Sequence, residues 1–295
     1  MTRSLVRDNV AAVIPPWGGE LAIELLDRLD WGALARARPK WLLGYSDTST
    51  LLVPLTLRLG WATAHGPCLM DLAPGQDDPL TAGVLPALAL PPGSHFEQRQ
   101  SARWQKQWTD FALVPDTTYA LTEPTRWRTL GGEPRAQARG RLIGGCLDTL
   151  VHTAGTEHGG VRGFVARCAA AGEGVLLYLE NSGLSPAEVV RALHRLRWAG
   201  WLAGLAGLLI GRSAAPDSTA ADALRYDRAL EQALEPALIL APGPVPARAG
   251  SPVPCPVLVD VDIGHRPPQM LLINGALAEV EFDAQRGGRL TQWLA

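Results

Sequence analysis

Ser46 is the residue of this sequence that is best placed to act as a nucleophile. It follows an apolar run and a glycine in the segment PKWLLGYSDT, residues 39–48, and a helical pattern begins directly after it. A serine becomes reactive when a base takes its proton, and a strand-to-helix turn offers free N–H groups for an oxyanion. The pattern G-x-S-x-T differs from the G-x-S-x-G elbow of many hydrolases. On these residues alone, the simpler interpretation is that Ser46 or Asp47 only caps the helix.

A serine nucleophile needs an imidazole base and usually an acid that orients the imidazole. His65 and His265 each end a strand-like run beside a glycine, where α/β enzymes place functional side chains. Glu180 directly follows the apolar strand GVLLYL, whereas Asp260 and Asp262 lie on the strand before His265 and compete for the acid's role. Each histidine could also serve only to cap backbone groups.

A Gly18-Gly19 pair separates the first strand-like run from the first helical pattern. Such a pair is a common tight connection, and it can also turn a backbone N–H towards an oxyanion or a phosphate. It is not part of a G-x-G-x-x-G motif and no Walker lysine follows it, so we expect no nucleotide cofactor. No H-E-x-x-H motif, acid cluster or Cys/His spacing indicates a metal, and we expect none.

Composition and charge restrict the kinds of partner. The 295 residues are 47% apolar and 19% charged with a net charge of −2, which gives no basic field for nucleic acid. Four cysteines are scattered without C-x-x-C spacing and are expected to be reduced thiols. No signal-peptide pattern is visible, and the longest uncharged apolar stretch, residues 198–211, is shorter than the roughly 20 residues of a membrane span. We expect a cytoplasmic protein without a nucleic-acid or membrane partner.

The order of apolar runs and helical patterns predicts an α/β protein of two domains. Residues 1–90 are expected to form an N-terminal parallel α/β layer that carries Ser46, with strands at residues 10–14, 41–45 and 61–65. Residues 91–139 have weak strand signals, such as residues 112–114, and are interpreted as a connecting region between the two domains that contains some irregular β structure.

Residues 140–295 are expected to form a C-terminal α/β domain that carries Glu180 and His265, with a β-hairpin near its end. The Asn274-Gly275 pair suits a two-residue turn and predicts that hairpin. The elements predicted before it are a helix at residues 142–154, entered through Gly144-Gly145, strands at 174–179, 205–210 and 257–263, and helices at 186–198 and 222–234.

Several motifs occur in one order along the chain: the Gly18-Gly19 turn, GYSD at 44–47, HGP at 65–67, GRLIGG at 140–145, LYLE at 177–180, LLIGR at 208–212 and IGH at 263–265. From about residue 10 to residue 282, this order resembles the LD-carboxypeptidase family of serine peptidases. That family includes murein tetrapeptide LD-carboxypeptidases and microcin C self-immunity peptidases.

The resemblance implies a catalytic triad in which Ser46 is the nucleophile, Glu180 the acid and His265 the base. It also implies an oxyanion hole made by the backbone N–H groups of Asp47 and Gly19. Members of the family act on small peptides or peptide conjugates in the cytosol, often as homodimers and without a metal or other cofactor.

Two substrate classes follow from the resemblance. The first is a murein tetrapeptide, from which the enzyme would release the terminal D-alanine. The second is a peptidyl- or aminoacyl-nucleotide, cleaved by the immunity members. Arg212 and Arg266 are candidates by position for binding a substrate carboxylate, and either could instead form a surface ion pair. His65 is a further candidate substrate contact.

Tryptophans offer alternative substrate contacts. The turn sequence PPWGGE differs from the Arg-Gly-Gly-Tyr that is frequent in the murein enzymes, and Trp17 is assigned to the rim of the site or, alternatively, to the core. Trp104, Trp108 and Trp127 could stack on a nucleobase or pack in the interior.

Members of the family usually carry a further N-terminal strand and helices before the Gly-Gly turn. Only nine residues precede Val10 here. We therefore expect a first domain that lacks part of its sheet, through truncation or a misassigned start, and an inactive homologue is a third functional hypothesis.

Overall fold

The computed structural model describes residues 1–107, 109, 113–114, 116–216, 223–234 and 255–294. Within these ranges, no helix combines the length and the apolar character needed to cross a bilayer. The predictions at Trp108, at Ala112 and for the start of the helix at Asp222 lie outside the described residues.

The helices are α1 (Thr2–Val6), α2 (Ile23–Leu26), α3 (Trp31–Arg36), α4 (Ser49–Leu59), α5 (Leu69–Leu72), α6 (Pro79–Ala82), α7 (Val84–Leu88), α8 (Leu147–Thr153), α9 (Val161–Ala170), α10 (Pro186–Trp198) and α11 (Tyr226–Leu234). The strands are β1 (Ala12–Val13), β2 (Trp41–Gly44), β3 (Thr63–His65), β4 (His95–Arg99), β5 (Arg103–Trp104), β6 (Glu123–Pro124), β7 (Arg128–Thr129), β8 (Arg135–Cys146), β9 (Val175–Glu180), β10 (Gly207–Gly211), β11 (Val257–Val261), β12 (Leu272–Asn274), β13 (Leu277–Asp283) and β14 (Gly287–Trp293).

A four-stranded sheet contains the N-terminal strands in the order β1-β2-β3-β12. β1, β2 and β3 run parallel, and β12 joins β3 in the antiparallel direction. Leucines of α1 to α4 bury one face of this sheet, since Leu5, Leu34 and Leu52 are all completely buried. The predicted parallel α/β layer is confirmed.

An eight-stranded sheet has the order β4-β14-β13-β8-β9-β10-β11-β7. Its central strands β8 to β11 run parallel, and the outer strands on both sides run antiparallel to their neighbours. The six residues of β9 are all buried, because helices cover one face and a second apolar cluster covers the other. Parallel strands end at one edge of a sheet, so residues that follow β9 and β11 lie near one another.

The hairpin predicted over residues 270–282 is wrong, because the Asn274-Gly275 turn joins strands of two different sheets. β12 pairs with β3, whereas β13 pairs with β8 and β14. The side-chain oxygen of the buried Asn274 accepts hydrogen bonds from Gly144 N–H at 3.0 Å and from the Tyr178 hydroxyl at 2.8 Å. A hairpin near the chain end is formed instead by β13 and β14, which turn at residues 284–286.

The helix predicted at residues 142–154 starts only at Leu147, since residues 142–146 continue β8. A Cβ atom on Gly144 would overlap the carbonyl of Tyr178, and one on Gly145 would stand 2.5 Å from Ser49 Oγ. The glycine pair therefore brings β8 close to β9 and α4, and it does not start a helix.

The segment at residues 91–139 contributes to the large sheet at both of its edges. β4 pairs with β14 at one edge and β7 pairs with β11 at the other, while β5 and β6 form a separate two-stranded ribbon. Besides connecting the two parts of the chain, this segment therefore supplies the edge strands of the large sheet.

Candidate active site

Ser46 lies in a single turn of 3-10 helix, residues 46–48, between β2 and α4. Its φ angle is +58°, a value that non-glycine residues rarely adopt and that stores strain. This backbone places the half-buried Ser46 beyond the carboxyl end of β2.

A continuous chain of hydrogen bonds joins Ser46 to two residues of the other sheet. His265 Nε2 lies 3.0 Å from Ser46 Oγ, and His265 Nδ1 lies 2.8 Å from Glu180 Oε2. Glu180 is the last residue of β9, and its side chain is completely buried. His265 lies in the loop after β11 and keeps 17% of its side chain exposed.

Two glycines leave room for the Glu180 side chain. A Cβ atom on Gly211 would stand 3.0 Å from Glu180 Cβ, and one on Gly264 would overlap Glu180 Oε2. The φ angle of Gly264 is +90°, which suits glycine. The glycine of the IGH motif therefore lets His265 and Glu180 meet.

The charges of Glu180 and His265 stabilise each other in this buried setting. Burial by itself would raise the pKa of Glu180, but the charge and hydrogen bond of His265 hold that pKa below its usual value. Burial would likewise lower the pKa of His265, yet Glu180, with smaller contributions from Asp148 and Asp71, raises it above the ordinary value. A carboxylate beside an imidazole with a raised pKa is the electrostatic arrangement of a general base.

The Gly18-Gly19 turn packs directly against Ser46. A Cβ atom on Gly18 would stand 2.6 Å from Ser46 Cβ and 3.1 Å from the backbone nitrogen of Asp47. The Asp47 side chain accepts a hydrogen bond of 2.7 Å from Ala22 N–H, which fastens the segment after the Gly18-Gly19 turn to the turn that carries Ser46. Gly19, with φ of +114°, faces the Asp47 carboxylate.

His65 lies in the interior rather than at a substrate-accessible surface. It is completely buried, its ring packs 5.3 Å from Tyr178 and 6.4 Å from Tyr45, and both ring nitrogens lack a hydrogen-bond partner among the described residues. Burial lowers the pKa of His65 to about 4, so the ring is neutral at pH 7. The suggested substrate contact is incompatible with this burial.

Three further residues surround Ser46, His265 and Glu180, and the sequence motifs do not point to them. Tyr45 packs edge-on to the His265 ring at 4.8 Å. The Asp148 carboxylate accepts hydrogen bonds from Ser182 N–H at 3.0 Å and Gly183 N–H at 2.7 Å, which holds the loop that follows Glu180. Asp71 is buried and accepts a bond from Cys68 N–H at 2.9 Å. The acids resemble ordinary caps in sequence, and only their tertiary contacts place them near His265.

The two candidate arginines differ in their surroundings. Arg212 is buried and pairs with the buried Asp262 at 2.7 Å, which removes it from direct contact with a substrate. Arg266 is half-buried and donates to backbone carbonyls, and it forms no ion pair within the described part of the chain. Burial and the nearby Arg212 lower the pKa of Arg266.

The candidate tryptophans also differ in their exposure and contacts. Trp17 is 66% exposed, and the adjacent Pro15 and Pro16 carbonyls accept hydrogen bonds from the first residues of α5, Leu69 and Met70. Trp127 is buried and donates to Asp262 at 2.8 Å, so its ring is not available to a nucleobase. The Trp104 ring packs against the guanidinium groups of both candidate arginines, Arg212 at 5.4 Å and Arg266 at 6.0 Å.

The described residues contain no group that could hold a metal ion, and a large cavity among them is not lined by Ser46. No group of three or more His, Cys, Asp or Glu side chains within them is arranged to hold a metal ion. A cavity of about 890 Å³ lies between residues 74–90 and β4, and Ser46, Glu180 and His265 do not line it.

The curated proteins that the chain resembles include three bacterial relatives that differ in identity and coverage. It is 32% identical over 204 residues to a Streptomyces coelicolor protein named as a candidate carboxypeptidase, over 68% of this chain and 53% of that protein. It is 31% identical over 188 residues to the murein tetrapeptide carboxypeptidase of Pseudomonas aeruginosa, over 64% and 51% of the two chains. With the Escherichia coli microcin C7 self-immunity protein MccF, identity is 23% over 292 residues, 97% and 76% of the two chains. The chain thus spans about half the length of the first two relatives.

The solved structure of MccF in complex with aspartyl sulfamoyl adenosine has the same fold. Its TM-score is 0.74 at 20% sequence identity, with coverage of 100% of this chain and 80% of that chain.

Two family models match the chain and together cover most of it. Residues 1–66 match the LD-carboxypeptidase N-terminal domain, and residues 139–280 match the LD-carboxypeptidase C-terminal domain. The first match contains Ser46, and the second contains Glu180 and His265. The chain therefore belongs to the LD-carboxypeptidase family of peptidases.

Proposed function

We propose that the chain is a serine peptidase that cleaves small peptides or peptide conjugates with Ser46, His265 and Glu180. The observation that carries this proposal is the hydrogen-bond chain from Ser46 Oγ through His265 to Glu180 Oε2, with heavy-atom distances of 3.0 and 2.8 Å. Both distances lie in the range required for proton transfer and for holding the imidazole tautomer.

In the acylation step, Ser46 Oγ attacks the carbonyl carbon of the scissile bond while His265 Nε2 accepts the serine proton. His265 then gives that proton to the leaving amine, and water hydrolyses the acyl-serine by the same route in reverse. Glu180 keeps the proton on Nδ1 and stabilises the imidazolium. Backbone N–H groups of Asp47 and of the Gly18-Gly19 turn are assigned to the oxyanion, at about 3 kcal/mol per donor in other serine hydrolases.

Our first substrate assignment is a murein tetrapeptide, with release of the terminal D-alanine. The named relative from Pseudomonas aeruginosa supports this class. The free carboxylate of a murein tetrapeptide needs a cation. Arg266 directly follows His265 and has no acidic partner among the described residues, since its contacts are to backbone carbonyls. We assign the carboxylate contact to Arg266.

A second assignment is an aminoacyl- or peptidyl-nucleotide. MccF aligns with almost the whole chain, and its solved complex contains an aminoacyl sulfamoyl adenosine. The exposed Trp17 adjoins the glycine that packs on Ser46, and an aromatic face at this position could stack on a base.

Labelling with a fluorophosphonate tests the nucleophile without knowledge of the substrate. We expect labelling to map to Ser46 and to be lost in Ser46→Ala, together with hydrolysis of the true substrate. Labelling elsewhere, no labelling at all, or full turnover by Ser46→Ala would reject the triad. Measuring kcat/KM for a murein tetrapeptide and for aspartyl sulfamoyl adenosine on the same preparation would distinguish the two substrate classes.

We also propose a homodimer in the cytosol, as in other members of this family. Light scattering of the purified chain at several concentrations would test the oligomeric state.

A further inference from the structure

We infer that Arg212 and Asp262 are positioning residues that hold the loop carrying His265 in register with Ser46. This inference rests on the proposed function, since it assigns a role relative to the proposed base. Both residues are almost completely buried, and neither contacts the reacting atoms.

The Arg212 guanidinium binds the His265 loop on both sides of the histidine. Its Nη1 donates to the carbonyl of Asp260 at 3.1 Å, before the histidine. Its Nη2 lies 3.4 Å from the carbonyl of Arg266 and 3.5 Å from that of Pro268, after the histidine. One planar group thus contacts the backbone on both sides of the turn, a geometry that suits the rigid fork of arginine and not a lysine ammonium.

Asp262 fixes the position of this guanidinium. Its Oδ1 accepts from Arg212 Nη2 at 2.7 Å and from Ser101 Oγ at 2.6 Å, and its Oδ2 accepts from Ser101 N–H at 3.0 Å and Trp127 Nε1 at 2.8 Å. The four donors occupy the roughly four lone-pair positions of a carboxylate. The carboxylate, and with it the guanidinium, therefore has a single well-defined orientation.

The same loop is held through its backbone. The backbone carbonyl of Asp262 accepts a hydrogen bond from Met270 N–H at 2.7 Å, and the carbonyl of Pro267 accepts one from Gln105 N–H at 2.7 Å. Ser101 and Gln105 belong to the segment at residues 91–139, so this segment supports the base although it contributes no residue to the triad.

A purely stabilising role accounts poorly for this ion pair. Replacing a buried ion pair by well-packed apolar residues is often neutral or stabilising, and buried pairs have in some proteins been retained for the geometry they impose. Here the pair joins four segments of the chain at a point three residues before the proposed base. We therefore assign it to placement of the imidazole.

The test uses the pH dependence of fluorophosphonate labelling of Ser46, because that rate reports the protonation and placement of His265. In Arg212→Lys the positive charge remains but the fork is lost. We expect labelling at pH 8 to slow by on the order of 10²-fold, since misplacements of about 1 Å have effects of this size. The midpoint of the pH–rate curve should also move to lower pH, because a displaced imidazole loses part of its interaction with Glu180. The groups that surround His265, namely Glu180, Asp148, Asp71, His65 and Tyr45, are unchanged in the variant.

Arg141→Lys is the control, since Arg141, like Arg212, binds both a carboxylate and a backbone carbonyl, those of Glu173 and Gly275, but it lies on β8 opposite the first residue of β9. It should lower the melting temperature without moving the pH midpoint. Ser101→Ala removes one bond to Asp262 and serves if Arg212→Lys does not fold, with an expected loss of several-fold in labelling rate.

Parental rates and pH midpoints in folded Arg212→Lys and Ser101→Ala would overturn the inference, as would equal effects in Arg141→Lys. Failure of the proposed function is distinguishable, because the parent chain would then not be labelled at Ser46.

Discussion

Gly18 packs so closely against Ser46 that no side chain can be accommodated between them. A Cβ atom on Gly18 would stand 2.6 Å from Ser46 Cβ, a distance that real atoms do not adopt. The proposed oxyanion turn and the proposed nucleophile are therefore in contact before any substrate binds.

Gly18→Ala should reduce kcat/KM by roughly 10²-fold, because the added methyl group displaces the turn from Ser46. The turn is close to the surface, so the melting temperature should change by only a few degrees. Gly160→Ala is the control, since no atom lies within 4 Å of the added Cβ. Parental kcat/KM in Gly18→Ala would show that the turn has no part in the reaction.

Glu180→Gln should lower kcat by on the order of 10³- to 10⁴-fold, because the amide no longer imposes the correct imidazole tautomer. The Glu180 carboxylate raises the pKa of His265, so its removal lowers that pKa. The base acts in its neutral form, and activity falls as the pH drops through this pKa. The acidic limb of residual activity should consequently move to lower pH, and a pH–rate profile would check this. If the acidic limb does not move in Glu180→Gln, it is due to a group other than His265.

His65→Phe should make the protein less sensitive to acid. Burial lowers the pKa of His65 to about 4 in the folded state, whereas the unfolded chain titrates near the ordinary value of 6.5. The unfolded state therefore binds more protons between these values, and the folded state loses up to about 3 kcal/mol as the pH falls from 6.5 to 4. Urea unfolding of parent and variant at both ends of this window measures the difference. Equal pH dependence in the two proteins would contradict a buried neutral His65.

Trp17→Ala should raise KM about tenfold with little change in kcat, which corresponds to ~1.4 kcal/mol of lost binding. Trp17 is 66% exposed at the proposed rim, and the 74% exposed Trp198 at the end of α10 offers a matched control. Trp198→Ala should leave KM unchanged. If both variants, or neither, change KM, Trp17 is not a substrate contact.

Much of the fold could be predicted because its elements are signalled locally. β9 is a continuous apolar run, and α10 has Pro186 as its first residue and a capping box formed by Ser185 and Glu188. The hairpin prediction at Asn274-Gly275 is wrong because Asn274 forms its hydrogen bonds with Gly144 and Tyr178, which are distant in sequence. Local turn preference could not reveal that the flanking strands belong to different sheets.

The candidate site can likewise be predicted from the sequence only in part, because some of its contacts join residues that are distant in sequence. Ser46 and His265 follow strands, Glu180 ends one, the order of motifs points to all three, and the structure brings their side chains together. Arg212 was also selected by position, but its burial beside Asp262 depends on Ser101 and Trp127, which are far away in sequence. Asp148 gave no signal, because a carboxylate that caps a loop and one that also influences a nearby imidazole look alike in sequence.

Ser46 follows a strand of the four-stranded sheet, whereas Glu180 ends a strand of the eight-stranded sheet and His265 lies in a loop after another. Asn274 bridges the two, through Gly144 and Tyr178 on one side and Thr63 on the other. A slide of one sheet past the other by a fraction of an ångström would lengthen the 3.0 Å contact between His265 and Ser46 while leaving each hydrophobic core intact. Turnover should therefore fall when the two sheets shift relative to each other, well before unfolding becomes measurable.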